Sequence, residues 1–201
     1  MGSIFDFSPT LNTISASQAK ATDATADAIV NLLDCAATHS DAILRYSASD
    51  MILHIHSDAS YLSETQARSR AGGFHFLSNR PPDPSAKPDP NSEPPPINGA
   101  IHVLSSIMKV VLSSAAEPEL GALFFNGKDA ETLRTTLIDM AGHAQGATPM
   151  QTDNSCAAGI SNNTVKQRRS KAIDMRFYWI KDRVKQGHFN VHWRRGSDNL
   201  A

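Results

Sequence analysis

Cysteine is scarce in this chain of 201 residues: Cys35 and Cys156 stand far apart, without neighbouring ligands at metal spacing. That excludes a disulfide framework and a zinc ribbon, and both thiols are expected to be reduced. Long apolar runs are missing too; none approaches the roughly 20 residues needed to cross a bilayer. Met1 to Pro9 has neither the basic start nor the apolar centre of a signal peptide. Asp6 stands where a myristoylation signal wants Ser or Thr. A soluble, unsecreted chain with no membrane partner is expected. Net charge is almost absent, −1 in total. The balance is uneven, because from Ile160 onward ten Lys and Arg face three acids. That end is a candidate phosphate-contact surface.

Proline is rare except between Arg80 and Pro96, which holds eight of the eleven. Proline removes the backbone donor that a central strand needs, so this stretch is expected to be a loop, an insertion over 80–97. The chain as a whole, at 40% hydrophobic residues, suffices for one domain with a core plus an appendage. Residues 1–50 read as a polar start and then a helix, with Ala26, Ile29, Val30 and Leu33 at helical spacing. Met51 to His56 and Gly72 to Ser78 read as strands, and Ala100 to Leu112 as a third.

Ser113 and Ser114 are placed to cap a helix whose first turn holds Pro118 and whose early part holds Glu119. Leu120, Leu123 and Phe124 give that helix a buried face, which Leu133, Leu137 and Met140 extend or restart after Asn126-Gly127. Ala147 to Thr152 is a fourth strand, delivering Asp153, and a short helix is expected from Ser155 to about Ser161. Ile173, Phe177, Ile180 and Val184 define a helix that ends at Gly187. Phe189, Val191 and Trp193 alternate with polar residues as a last strand. The order predicts an α/β fold, a mixed five-stranded sheet flanked by helices.

Several motifs recur in one order: His56-Ser57-Asp58-Ala59-Ser60-Tyr61, Ser69-Arg70-Ala71-Gly72-Gly73, Glu119 to Leu123, Thr152-Asp153-Asn154-Ser155, Ser170 to Phe177, and Ser197 to Ala201. Together they resemble the ribonuclease H domain of Ty1/copia-type retrotransposon polyproteins, from about residue 50 to the end. The resemblance implies a ribonuclease H-like fold over 51–201, with 1–50 a connection from the polymerase. A helix packed on its own domain is the equal alternative for that region. It also implies hydrolysis of the RNA strand of an RNA–DNA hybrid during reverse transcription. The partners would be the hybrid and the reverse transcriptase polymerase domain of the parent polyprotein. The location would be a cytoplasmic virus-like particle or the nucleus.

Asp58, Glu119 and Asp153 are the catalytic and metal-holding candidates. Magnesium, or manganese, is a hard cation that prefers oxygen ligands, and two ions about 4 Å apart can bind a scissile phosphate and activate water. The resemblance makes Asp58 the bridging ligand, with Glu119 and Asp153 each completing one ion. It also implies a fourth carboxylate, an Asp directly after Ala201. Asp198 lies in another register, and with that ligand missing the second ion should bind weakly and turnover fall by orders of magnitude. Ala172 departs from the His common in relatives, and no loop His for product release is evident.

Ser60 and Asn154 are candidate backbone contacts for nucleic acid. Lys166, Arg168, Arg169 and Lys171 are candidate phosphate contacts, although such a run is as well explained as a solvated face. His192 is expected to pack within its strand. Two other readings compete. The chain could be an inactive retrotransposon fragment that folds and binds nucleic acid without cleavage. His54-Ile55-His56-Ser57-Asp58 also resembles the opening of a zinc hydrolase motif, but Ala59 stands where that motif has a further His. Integrase-like nucleases run Asp, Asp, Glu along the chain, whereas the order here is Asp, Glu, Asp.

Overall fold

The computed structural model describes residues 7–81, 93–165 and 175–201. Contacts divide the chain into two compact units, Met1–Tyr46 and Ser47–Ala201. In the first, α1 (Ser8–Ser17) precedes α2 (Asp23–Thr38), which starts at a capping box made by Thr22 and Thr25. The sequence reading anticipated α2 but not α1, whose start Pro9 favours. Neither helix buries a residue; Ile29, Val30 and Leu33 are exposed.

The second unit is built on β1 (Ile52–Glu64), β2 (Arg68–Ser78), β3 (Ala100–Ile107), β4 (Thr148–Thr152) and β5 (Phe189–Trp193). Between these lie α3 (Ala116–Ala141), α4 (Ser155–Ser161) and α5 (Met175–Lys185). The strands form one mixed sheet in the order β3-β2-β1-β4-β5. β1, β2 and β3 pair antiparallel, whereas β4 is parallel to both β1 and β5. This is the five-stranded sheet flanked by helices that the sequence pattern predicts.

Alternation along the strands sorts their side chains. Leu53, Ile55, Met150, Phe189 and Val191 meet Leu120 and Leu123 of α3, Ala157 and Ile160 of α4, and Phe177 and Ile180 of α5 in the main core. The close seat of α5 on α3 depends on Gly127, because a Cβ there would lie 3.1 Å from both Ile180 Cδ1 and Trp179 Cζ3. β1 residues 54 and 56 belong to a second buried layer with Phe74, Phe76, Gln151 and His192. The rings of His54, His56, Phe74 and Phe76 contact one another there.

Several boundaries differ from those expected. β1 continues past His56 to Glu64, although Ser60 to Ser63 are exposed and carry no apolar pattern. Pairing with β2 holds it extended as far as Ser60, as in Asp58 with Gly72 and Ser60 with Arg70; the register then breaks before Glu64, and Leu62 has a φ of 53°. β2 likewise begins at Arg68, and β3 stops at Ile107 rather than Leu112. The α3 helix runs unbroken through Asn126-Gly127 for 26 residues, and Met140 is exposed rather than buried. Ser113 does not cap it; instead the Glu117 carboxylate accepts hydrogen bonds from Ser113 N and Oγ, both at 2.8 Å. Ile173 and residues 82–92 of the proline-rich stretch lie outside the described residues; the described remainder of that stretch, with its flanks at 79 and 98–99, has no regular structure.

Candidate metal centre

Asp58 sits where β1 runs beyond its parallel partner. The register Ile55 with Met150 and His56 with Gln151, continued two residues, places Asp58 beside Asp153, directly after the end of β4. Glu119 is in the first turn of α3, whose core side packs on these same strands. One carboxylate oxygen from each of Asp58, Glu119 and Asp153 lies within 4.8 Å of the others. The structure thus gathers the three acids singled out in the sequence. Among the described residues this is the group of His, Cys, Asp and Glu side chains arranged to hold a cation.

The electrostatics follow from depth. Glu119 is buried, Asp58 half-buried and Asp153 exposed. Burial, joined by the charges of Asp58 and Asp153, pushes the Glu119 carboxyl up to about 8; the Ala59 N–H and the Thr152 hydroxyl oppose that rise. Asp58 is also raised, by burial first and Asp153 next, against a hydrogen bond from Ala59 N–H. Crowded carboxylates that resist ionisation are what a divalent cation relieves.

Neighbours brace each acid. Thr152 Oγ1 donates to Glu119 Oε2 at 3.4 Å and accepts from Asn154 N at 3.2 Å. Trp193 Nε1 donates to Asp153 O at 2.7 Å, anchoring the end of β4 to β5. Asn199 Nδ2 donates to Ser57 O at 3.0 Å, just before Asp58. Thr152 lay inside a recognised motif, yet its bond to Glu119 has no sequence signature, and neither do the Trp193 and Asn199 contacts.

The remaining candidates are placed differently. Asn154 Oδ1 caps α4 by accepting from Ala157 N at 3.0 Å. Ser60 is exposed and hydrogen-bonds Ser63 through their hydroxyls. Lys166, Arg168, Arg169 and Lys171 lie outside the described residues. His54 and His56 do not join Asp58 in a zinc site: His54 Nε2 faces Asn79 O at 3.0 Å, and His56 Nδ1 accepts from Leu200 N at 3.2 Å. His192 is buried in β5, and burial lowers it to about 4, in keeping with a packed residue.

A curated relative shares this stretch: the retrovirus-related Pol polyprotein from transposon TNT 1-94 of Nicotiana tabacum is 27% identical over 148 residues. The chain resembles a segment of a retrotransposon Pol polyprotein. The similarity covers 74% of this chain but only 10% of that polyprotein. No protein-family model matches. Among solved structures, LC11-RNase H1 in complex with RNA/DNA hybrid is 12% identical, covering 74% of this chain and 88% of that one, with a TM-score of 0.47. The N-terminal ribonuclease H domain of a Mycobacterium tuberculosis protein, solved as a fusion with maltose-binding protein, is 10% identical over 76% of this chain and 86% of that one, at a TM-score of 0.48.

Proposed function

We propose that the retrotransposon-like chain is a ribonuclease H-type domain that hydrolyses the RNA strand of an RNA–DNA hybrid with two magnesium or manganese ions. The observation that supports it most is the convergence of Asp58, Glu119 and Asp153, from β1, α3 and the end of β4, within 4.8 Å. Three hard oxygen donors fit a hard divalent cation. Such ions, when bound, would supply the positive charge that activates water and offsets charge on the scissile phosphate.

The chain's own residues prepare that chemistry. Asp58 stands between the other two acids in the proposed assignment, while Thr152 and the Ala59 N–H orient the Glu119 carboxylate. Asp153, exposed at the rim, is open to substrate. The basic run from Lys166 to Lys171 is proposed to contact hybrid phosphates, with Ser60 and the Asn154 amide nearer the cut. In the parent polyprotein, residues 1–50 would connect to the polymerase, and reaction would occur within a cytoplasmic virus-like particle or the nucleus.

Labelled hybrid, duplex DNA and duplex RNA, incubated with magnesium or manganese, test the reading. Two forms belong in the assay: the chain itself, and the chain extended by one Asp after Ala201, where the family resemblance implies a further carboxylate. Metal-dependent cleavage confined to the RNA of the hybrid is expected from the extended form, and Asp153→Asn should remove it. Hybrid binding without cleavage by either form would favour the non-catalytic reading.

A further inference from the structure

Asn126 is fully buried on α3, seven residues after Glu119. Seven residues are nearly two helical turns, so both side chains project from one stripe, separated by about 10 Å along the axis. Glu119 ends that stripe at the acidic cluster. Asn126 ends it on the sheet, where its Nδ2 donates to Ser57 Oγ at 3.0 Å and to Gly72 O at 2.8 Å. Gly72 O can only accept, so the amide nitrogen must face it.

Both acceptors adjoin Asp58: Ser57 precedes it, and Gly72 is its register partner on β2. Next to them, Gly73 is a glycine because a Cβ would run into the Asn126 amide. The backbone oxygen of Asn126 also faces His75 Nε2 at 3.4 Å. Asn126 Oδ1, by contrast, is buried without a hydrogen-bond partner. An apolar side chain of similar volume would avoid that desolvation cost, so the value of the amide lies in its two donor contacts.

From this juxtaposition we infer that Asn126 is a positioning residue for the metal centre, fixing the seat of α3 on β1 and β2 and thereby the separation of Glu119 from Asp58. It touches neither carboxylate. The inference rests on the proposed reading of the acidic cluster as a divalent-ion site. Without the strut, α3 can shift against the sheet, and the carboxylates lose the spacing that a shared ion requires.

Calorimetric titration with Mn²⁺, paired with urea unfolding of the full chain, tests both levels. Wild type should bind Mn²⁺ and Glu119→Gln should not; equal binding by the two would overturn the metal-site reading itself. Given that difference, Asn126→Ala should weaken Mn²⁺ about tenfold and lower the unfolding midpoint. In Gly73→Ala/Asn126→Ala a methyl refills part of the space, so the midpoint should recover while Mn²⁺ affinity stays low. Recovery of both, or wild-type affinity in Asn126→Ala, would assign Asn126 to packing alone and overturn the inference. Ser57→Ala, which removes one acceptor and little volume, should weaken Mn²⁺ severalfold without unfolding the chain. If Asn126→Ala does not fold, unchanged affinity in Ser57→Ala decides against the strut.

Discussion

At Glu119 a carboxyl group is buried beside two others, so in the absence of a cation the folded chain keeps it protonated up to about pH 8, against an ordinary value of 4.5. Between those values the folded state holds a proton that the unfolded chain has released. Stability from this group is therefore complete below pH 4.5 and is lost as pH rises toward 8. Metal-free Glu119→Gln should accordingly unfold at higher urea than wild type at pH 8, with the gap closing toward pH 4.5. A midpoint at pH 8 equal to or below wild type would contradict this. Asp153→Asn, by removing an exposed carboxylate of the proposed metal site, should leave the fold intact but lower the proposed hybrid cleavage by at least about a hundredfold, the effect of a few kcal/mol lost from the transition state.

Among the elements, α3 has the closest tolerances, since it bears Glu119 and Asn126 and packs on α5 at Gly127. Gly127→Val would force side-chain atoms into Ile180 and Trp179 and should cost about 1–3 kcal/mol, measured by urea unfolding. At the start of α4, Asn154→Ala removes a cap beside Asp153 and should cost about 1 kcal/mol. In sequence Asn126-Gly127 leaves open whether the helix continues or restarts; the approach of α5 explains a glycine inside a continuous helix. The extension of β1 past His56 to Ser60 was equally hidden, because pairing with β2 holds it without an apolar pattern. Elements with strong periodicity, such as β5 and the core side of α3, were legible. The three acids were legible through their motifs, whereas the contacts that brace them join residues distant in sequence and have no local signal.

Across the whole molecule, His54, His56, His75 and His192 are all buried, and burial is the largest influence holding each at about 4 against an ordinary 6.5. On unfolding between pH 4 and 6.5 these four rings take up protons, outnumbering the proton that Glu119 gives back. Stability should therefore fall as pH drops through this window, each ring contributing up to about 3 kcal/mol. Thermal midpoints from pH 7 to 4.5 should decline steeply; replacing His75 by Gln should flatten the slope by about one proton. An unchanged slope would mean that this ring is already charged when folded.

β1 outruns β4 at Asp58, and this overhang ties metal affinity to the integrity of the chain. On the proposed reading the cluster would chelate only in the native state, because its members come from remote stretches that an unfolded polypeptide cannot hold together. Added magnesium should raise the melting temperature, each tenfold increase in free ion well above the dissociation constant adding about 1.4 kcal/mol. Melting curves would then report occupancy even where turnover is too slow to detect.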